Sequence, residues 1–236
     1  MRIGITGTDT GVGKTVVAAA ILATLAADGR RVIPMKPAET GVGPADEGDA
    51  GLLLRASGSP LGVEAVSPFR YPDPCAPMVA ADRAGKTVLL DVLDRRLAAL
   101  EAAHDVVVVE GAGGLLVPYG PDVSFVTLCV RWHLPLVVVA LNRLGVLNHV
   151  LLTVAAARSA GVSPGAVVLN EGRGGIADVA SRTNAETLRR LLPGLPVITF
   201  PEIEGDRNGH QDPAGTRAAV REILHAVHAF DEQVSP

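Results

Sequence analysis

Residues 2–27 read RIGITGTDTGVGKTVVAAAILATLAA, and this stretch decides the fold. Five residues that lean apolar (2–6) predict a strand. The glycine-punctuated GTDTGVGKT (7–15) predicts a phosphate-binding loop, and the apolar run behind it predicts a helix whose N-terminus faces the bound phosphates. Small residues let consecutive backbone N–H groups turn inward around a phosphate chain. Lys14 brings a point charge to the β- and γ-phosphates, and the Thr15 hydroxyl is suited to Mg²⁺. The common pattern G-x-x-x-x-G-K-[ST] would put glycine where this chain has Thr8, so the loop is a variant with Gly7 one residue further back. Strand, loop and helix arrive in the order a nucleoside-triphosphate site requires, which argues against a chance G-K-T on a surface turn.

Outward from this unit, strand and helix signals alternate. Strands are expected at 31–35 (RVIPM), 105–110 (DVVVVE), 134–141 (LPLVVVAL), 165–170 (GAVVLN) and 195–200 (LPVITF). Several are apolar at every position, as in central strands buried on both faces. Helical patterns fall at 89–103, 149–161, 183–192 and 216–230, and the first helix should end near Asp28-Gly29, with the glycine as its C-cap. The expectation is an α/β fold: a doubly wound, mostly parallel sheet with helices on both faces, of the P-loop NTPase type, forming one domain over residues 1–236. Residues 58–77, rich in Pro and Gly, read as a loop excursion.

Composition narrows the function. Hydrophobic residues are 48% of the 236, but aromatics only 3%, which suits a core of Ala, Val and Leu between sheet and helices. With 21 basic and 25 acidic residues and no basic run, nucleic acid is not expected as a ligand. Cys75 and Cys129 lack C-x-x-C spacing, so neither a disulfide framework nor a zinc site is indicated. The phosphate loop begins too early for a signal peptide to precede it, and no apolar run reaches the length of a membrane span. A cytoplasmic protein is expected.

Ligands of such sheets sit at the carboxyl ends of the strands, where the polar residues gather. Lys36 opens KPAETG (36–41) straight after the second strand; it reads either as a solvated charge or as a cation for the γ-phosphate. Asp46, Glu47 and Asp49 all fit a helix-start carboxylate, and spacing does not choose among them. Glu110 closes VVVV and precedes Gly111, Ala112 and Gly113. A carboxylate at the tip of a buried strand beside a glycine turn suits a Mg²⁺ ligand at the triphosphate. The N–H groups of Gly145, Val146, Leu147 and Asn148 would form an anion site at a helix start, with Asn148 as a simple N-cap the other reading. Asn170 reads either as a turn former or as an amide facing a purine edge.

Taken in order, GTDTGVGKT, KPAETG, YPDPCAP, VEGAGGLLVP, LGVLNH and VVLNE resemble the dethiobiotin synthetase family, over residues 3 to about 204. The resemblance implies an ATP-dependent ligase of biotin biosynthesis that acts on 7,8-diaminopelargonic acid and CO₂ with ATP and Mg²⁺, as a homodimer whose sites lie at the interface. It implies Thr15, Asp49 and Glu110 as Mg²⁺ ligands, Lys14 at the γ-phosphate, and Lys36 between carbamate and phosphate. Thr10 and Thr40 match hydroxyl contacts, and Gly11, Val12, Gly13 and Val16 complete the loop's nucleotide contacts. Asn170 and Glu171 match the adenine side, and Pro201 a segment packed on the base. Residues 145–148 match the helix start that takes the substrate carboxylate across the dimer. Gly11 stands where some members have glutamate, and the segment after Glu204 matches weakly. Two other classes share this architecture. Cobyrinate-type amidases add a glutaminase unit, for which a chain ending at Pro236 leaves no room. Partitioning-type ATPases carry KGG-x-GKT, where this chain has Thr8 and Asp9, and a basic amphipathic C-terminal helix that is not expected here.

Overall fold

A strand apolar at every position has no face to offer water, so it must lie inside a sheet covered on both sides. That is where the computed structural model puts these runs. It describes residues 1–43, 45–172, 178–203 and 214–234. The first half of the chain runs β1 (Arg2–Gly7), α1 (Lys14–Ala27), β2 (Val32–Met35), β3 (Ala38–Thr40), α2 (Gly48–Ser57), α3 (Val63–Val66), β4 (Phe69–Tyr71), α4 (Pro77–Arg83) and α5 (Leu90–Ala103). The second half runs β5 (Val106–Gly114), β6 (Pro118–Gly120), β7 (Val123–Ser124), α6 (Phe125–Arg131), β8 (Leu136–Leu141), α7 (Val146–Ser159), β9 (Pro164–Asn170), α8 (Val179–Leu191), β10 (Val197–Phe200) and α9 (Ala214–Val234).

Six strands form one sheet in the order β10-β9-β8-β1-β5-β2, every neighbouring pair parallel. Two cores divide along the strand alternation. Val106 and Val108 pack on one face with Val17 and Ile21 of α1 and Val220 and Ile223 of α9. Val107 and Val109 pack on the other with Leu93 and Leu97 of α5 and Val150 and Val154 of α7. The doubly wound parallel sheet expected from the sequence is therefore the observed one, and parallel pairing brings all six carboxyl ends to a single edge. No helix among the described residues is long and apolar enough to cross a membrane.

Three local expectations are corrected. Residues 58–77 are not a plain loop: they contain α3 and β4, and β4 pairs in parallel with β3. Periodicity missed these elements because each is three or four residues long. Glu110 does not close its strand. β5 continues through Gly114, and between the pairs Ile5–Glu110 and Gly7–Gly114 β1 advances two residues while β5 advances four. The bulge leaves Glu110 paired inside the sheet, and Gly111 packs so closely on Phe125 that a Cβ would lie 2.7 Å from its ring. Asn148 is not the N-cap of α7; Gly145 is, at φ 93°. The weakly matched segment after Glu204 lies outside the described residues as far as residue 213.

One residue sits in a conformation its side chain disfavours. His133, exposed just past α6, has φ 48°, the one positive φ of a non-glycine among the described residues. It closes the helix while Leu134 N–H bonds the Cys129 carbonyl at 3.0 Å. His133→Gly should therefore stabilise the protein by about 0.5–1 kcal/mol, the left-handed strain of a Cβ less the extra chain entropy of glycine. Urea unfolding should show a higher midpoint at unchanged slope, and a lower midpoint would contradict this account of the turn.

Candidate active site

Each strand end at the common edge delivers one part of a site. β1 ends in the loop, where Gly11 (φ 74°) and Gly13 (φ 94°) take left-handed conformations before α1 begins. Gly13 is the N-cap of α1 and no side chain caps that helix. A Cβ on Gly13 would sit 2.0 Å from Asn170 Nδ2, so close approach as well as φ demands glycine there. Asn170, at the end of β9, donates from Nδ2 to the Val12 carbonyl at 3.0 Å and accepts from Gly172 N–H at 3.3 Å. The amide thus grips the loop directly, a contact that sequence reading did not foresee.

β2 ends at Lys36 and β5 carries Glu110, and the two meet. Lys36 is 3% exposed and Glu110 0%. Lys36 Nζ donates to Glu110 Oε1 and to Asp49 Oδ2, both at 2.5 Å. Thr15 Oγ1 donates to the same Glu110 Oε1 at 2.9 Å. Glu110 Oε2 is buried with no hydrogen-bond partner. Burial alone would lower the Lys36 pKa, but the charges of Glu110 and Asp49 and their hydrogen bonds outweigh it and hold it above the ordinary lysine value. Lys36 is therefore a fixed cation. Lys14, also buried, differs: burial pushes its pKa below the ordinary value, with Glu110 only partly offsetting this, and its Nζ bonds the Asp9 carbonyl at 3.0 Å. Two ammonium groups thus stand behind the loop, one locked in ion pairs and one held by a main-chain oxygen.

The structure separates the three acids that spacing left equal. Asp49 reaches Lys36, whereas Asp46 accepts from Gly48 N–H at 2.8 Å and Glu47 pairs with Arg55. Asp49 and Glu110 thus meet at Lys36, and Thr15 joins them through the same Glu110 oxygen, an all-oxygen set suited to Mg²⁺. Among the described residues no group of three or more His, Cys, Asp and Glu could hold a metal by itself. Mg²⁺ keeps few protein ligands and takes phosphate oxygens, so two carboxylates, one hydroxyl and an unpartnered Glu110 oxygen fit a metal that arrives with a triphosphate.

Most of the remaining candidates follow the carboxyl ends of the six strands, while Thr40 lies on β3 of the separate two-stranded sheet. Thr10 is exposed in the loop and Val16 on the first turn of α1, while Thr40 ends β3 half-buried. Gly113 takes φ 63°, and Ala112 N–H donates to the Tyr119 hydroxyl at 2.7 Å. After β8, α7 starts at Val146 with no side-chain cap, leaving Gly145 and Asn148 exposed and Leu147 half-buried. Glu171, after β9, accepts from Asn142 Nδ2 at 3.0 Å, and Asn142 in turn accepts from Asn184 at 2.8 Å. This buried network ties the end of β8 to the end of β9, and no short motif in the sequence announces it. Pro201 follows β10, half-buried. A separate groove at the opposite edge, lined by Arg189, Glu222 and His225, contains none of these residues.

Comparison with known proteins narrows what the edge is for. A family model described as an AAA domain matches residues 1–200. The chain is 44% identical over 167 residues to the ATP-dependent dethiobiotin synthetase of an Anaeromyxobacter species, covering 71% of this chain and 75% of that one. It is 36% identical over 195 residues to that of Bacillus subtilis, with 82% and 84% covered, and 41% identical over 207 residues to that of Rhodococcus jostii, with 85% and 83% covered. In fold it is similar to the septum site-determining protein MinD of Pyrococcus horikoshii complexed with Mg-ADP, at TM-score 0.60 and 15% identity over 100% of this chain and 98% of that one. The cell division ATPase MinD of Pyrococcus furiosus gives 0.59 at 15% identity, over 97% and 99%. At that identity MinD supports the P-loop fold alone.

The buried pair has a measurable consequence. Lys36→Met leaves Glu110 in the interior without its cation and should lower stability by about 3–5 kcal/mol. Adding Glu110→Gln removes the stranded charge, so the double variant should unfold at higher urea than the single one. A double variant no more stable than Lys36→Met would show that the ion pair is not what holds this edge.

Proposed function

We propose a reaction for this chain from one premise: it belongs to the dethiobiotin synthetase family. It closes the ureido ring of dethiobiotin from 7,8-diaminopelargonic acid and CO₂ in biotin biosynthesis, in an ATP-dependent ligase reaction that also yields ADP and phosphate. One substrate amine adds to CO₂ and loses a proton, giving a carbamate. A carbamate oxygen then attacks the γ-phosphorus, and the bond to the ADP oxygen breaks. The second amine attacks the resulting mixed anhydride, forming the last C–N bond and expelling phosphate that carries the CO₂-derived oxygen.

Joining a carbamate to a triphosphate brings two anions together, so the site must offer positive charge and N–H dipoles rather than a nucleophile. The observation that carries the reading is the Lys36 ammonium, buried and clamped by Glu110 and Asp49, with the Thr15 hydroxyl on the same Glu110 oxygen. In this reading Lys36 stays protonated and meets the carbamate and the transferring phosphoryl group, while Lys14 and the loop from Gly11 to Val16 hold the β- and γ-phosphates. Thr15, Asp49 and Glu110 would hold Mg²⁺, which when bound neutralises the phosphate charge. Thr10 and Thr40 add hydroxyl contacts. Gly111 to Gly113 line the nucleotide, and Asn170, Glu171 and Pro201 its base. The uncapped start of α7, Gly145 to Asn148, takes the substrate carboxylate.

That carboxylate site is assigned across a homodimer interface of two cytoplasmic, single-domain chains. Its support is three exposed leucines on the segments that follow β5 and β8. Leu144 is 81% exposed next to Gly145, Leu152 of α7 62%, and Leu116 after β5 61%. Light scattering on the active protein should give the mass of two chains; the mass of a single 24.3 kDa chain would rule the shared site out.

The reaction is tested by phosphate release with ATP, Mg²⁺, bicarbonate and 7,8-diaminopelargonic acid, leaving out each in turn. Release should need all four, and Lys36→Ala should cut turnover by about 10²–10³ while nucleotide still binds. Hydrolysis that ignores the diamine would move the weight to a switch-type ATPase of the partitioning class.

A further inference from the structure

The short elements between β2 and α2 do more than connect. β3 and β4 pair in parallel with Glu39 opposite Arg70. Glu39 is 3% exposed, and its Oε1 accepts from the N–H of Asp49 and, at 3.3 Å, from that of Ala50. These N–H groups belong to the first turn of α2, whose own N-cap residue, Glu47, supplies no capping side chain. Arg70 completes the clamp: its guanidinium donates to the Asp46 carbonyl, and its Nε lies 3.5 Å from Glu39 Oε2. The fit is tight. Gly48 sits at φ 56°, and a Cβ there would come within 2.4 Å of Glu39 Oε1.

A helix start needs only a local Ser, Thr, Asp or Asn to cap it. Here the cap comes from a buried carboxylate ten residues earlier in the chain. That choice has a geometric result. Lys36 and Glu39 lie on one continuous stretch, and Asp49 is gripped by it twice: at its side chain by Lys36 Nζ and at its main chain by Glu39 Oε1. We propose that Glu39, braced by Arg70, is a positioning residue that docks the start of α2 and so fixes the Asp49 carboxylate beside Lys36. The proposal rests on the reading of Asp49 as a metal-side carboxylate. Outer groups that orient a ligand typically change metal affinity or activity by about 10–100-fold when removed.

The test is Mn²⁺ binding in the presence of a non-hydrolysable ATP analogue, followed by electron paramagnetic resonance on the full chain. Glu39→Ala should weaken Mn²⁺ by about tenfold or more while nucleotide affinity without metal is unchanged. Asp49→Asn should weaken Mn²⁺ as well, and the double variant should lose little beyond Asp49→Asn alone, because Glu39 acts through Asp49. Glu39→Gln keeps an acceptor oxygen and should retain most of the affinity; it carries the test if the alanine variant does not fold. Losses that simply add in the double variant overturn the proposal, since a merely structural role would produce them. So does wild-type Mn²⁺ affinity in Glu39→Ala, or a Glu39→Gln as impaired as Asp49→Asn. Wild-type affinity in Asp49→Asn would overturn the proposal and the metal-side role of Asp49 together. A failure of the ring-closure reading appears separately, as phosphate release indifferent to the diamine.

Discussion

A lysine taken out of water keeps its charge only if neighbouring anions repay the lost hydration, and Lys36 is placed so that they do. Its ammonium lies between a carboxylate on β5 and one on α2, and the first of these also receives the hydroxyl of the first helical turn behind the loop. Four segments far apart in sequence converge on a few ångströms. Each charge in the cluster would be costly alone, since desolvation of an unpaired ion outweighs most single contacts. Held together, one ammonium and two carboxylates offset one another's desolvation and fix the Lys36 cation in place.

The sheet explains how such a cluster is reached. Because all six strands run the same way, their ends supply the loop, Lys36, the bulged stretch after Glu110, Asn142 and Asn170 to one edge. Both α1 and α7 begin at a glycine of positive φ with no capping side chain. At α7 the Val146 N–H already bonds the Arg143 carbonyl at 3.2 Å, so the main-chain donors left open on its first turn are those of Leu147 and Asn148; on the proposed reading the start of α1 takes phosphates and that of α7 a carboxylate. The helix that carries Asp49 is treated differently, its start sealed by Glu39.

Much of this was legible in the sequence, for reasons that are physical. Strand runs such as VVVV before Glu110 are apolar at every position because both faces are covered, and that pattern alone points to a parallel sheet. The loop was readable because only glycine tolerates its left-handed turns and its close approach to Asn170. What escaped reading depends on contacts between distant residues. Strands of three residues such as β3 and β4 show no periodicity, so the Glu39–Arg70 clamp was hidden within KPAETG and an apparent loop. The close packing of Gly111 on the Phe125 ring joins residues that spacing does not connect. Asp46, Glu47 and Asp49 were equivalent by position, and only the packing of α2 against the stretch after β2 distinguishes them. The Asn142–Asn184 link joins residues forty-two apart and carries no local signature.

On the proposed reading, the Glu110 cluster holds a metal that comes with the nucleotide. Calorimetric titration of a non-hydrolysable ATP analogue, with and without Mg²⁺, into the wild-type protein and into Glu110→Gln tests it most directly. Mg²⁺ should tighten binding to the wild type and lose most of that effect in the variant, whose metal-free affinity should stay close to wild type. An equal tightening by Mg²⁺ in both proteins would contradict it.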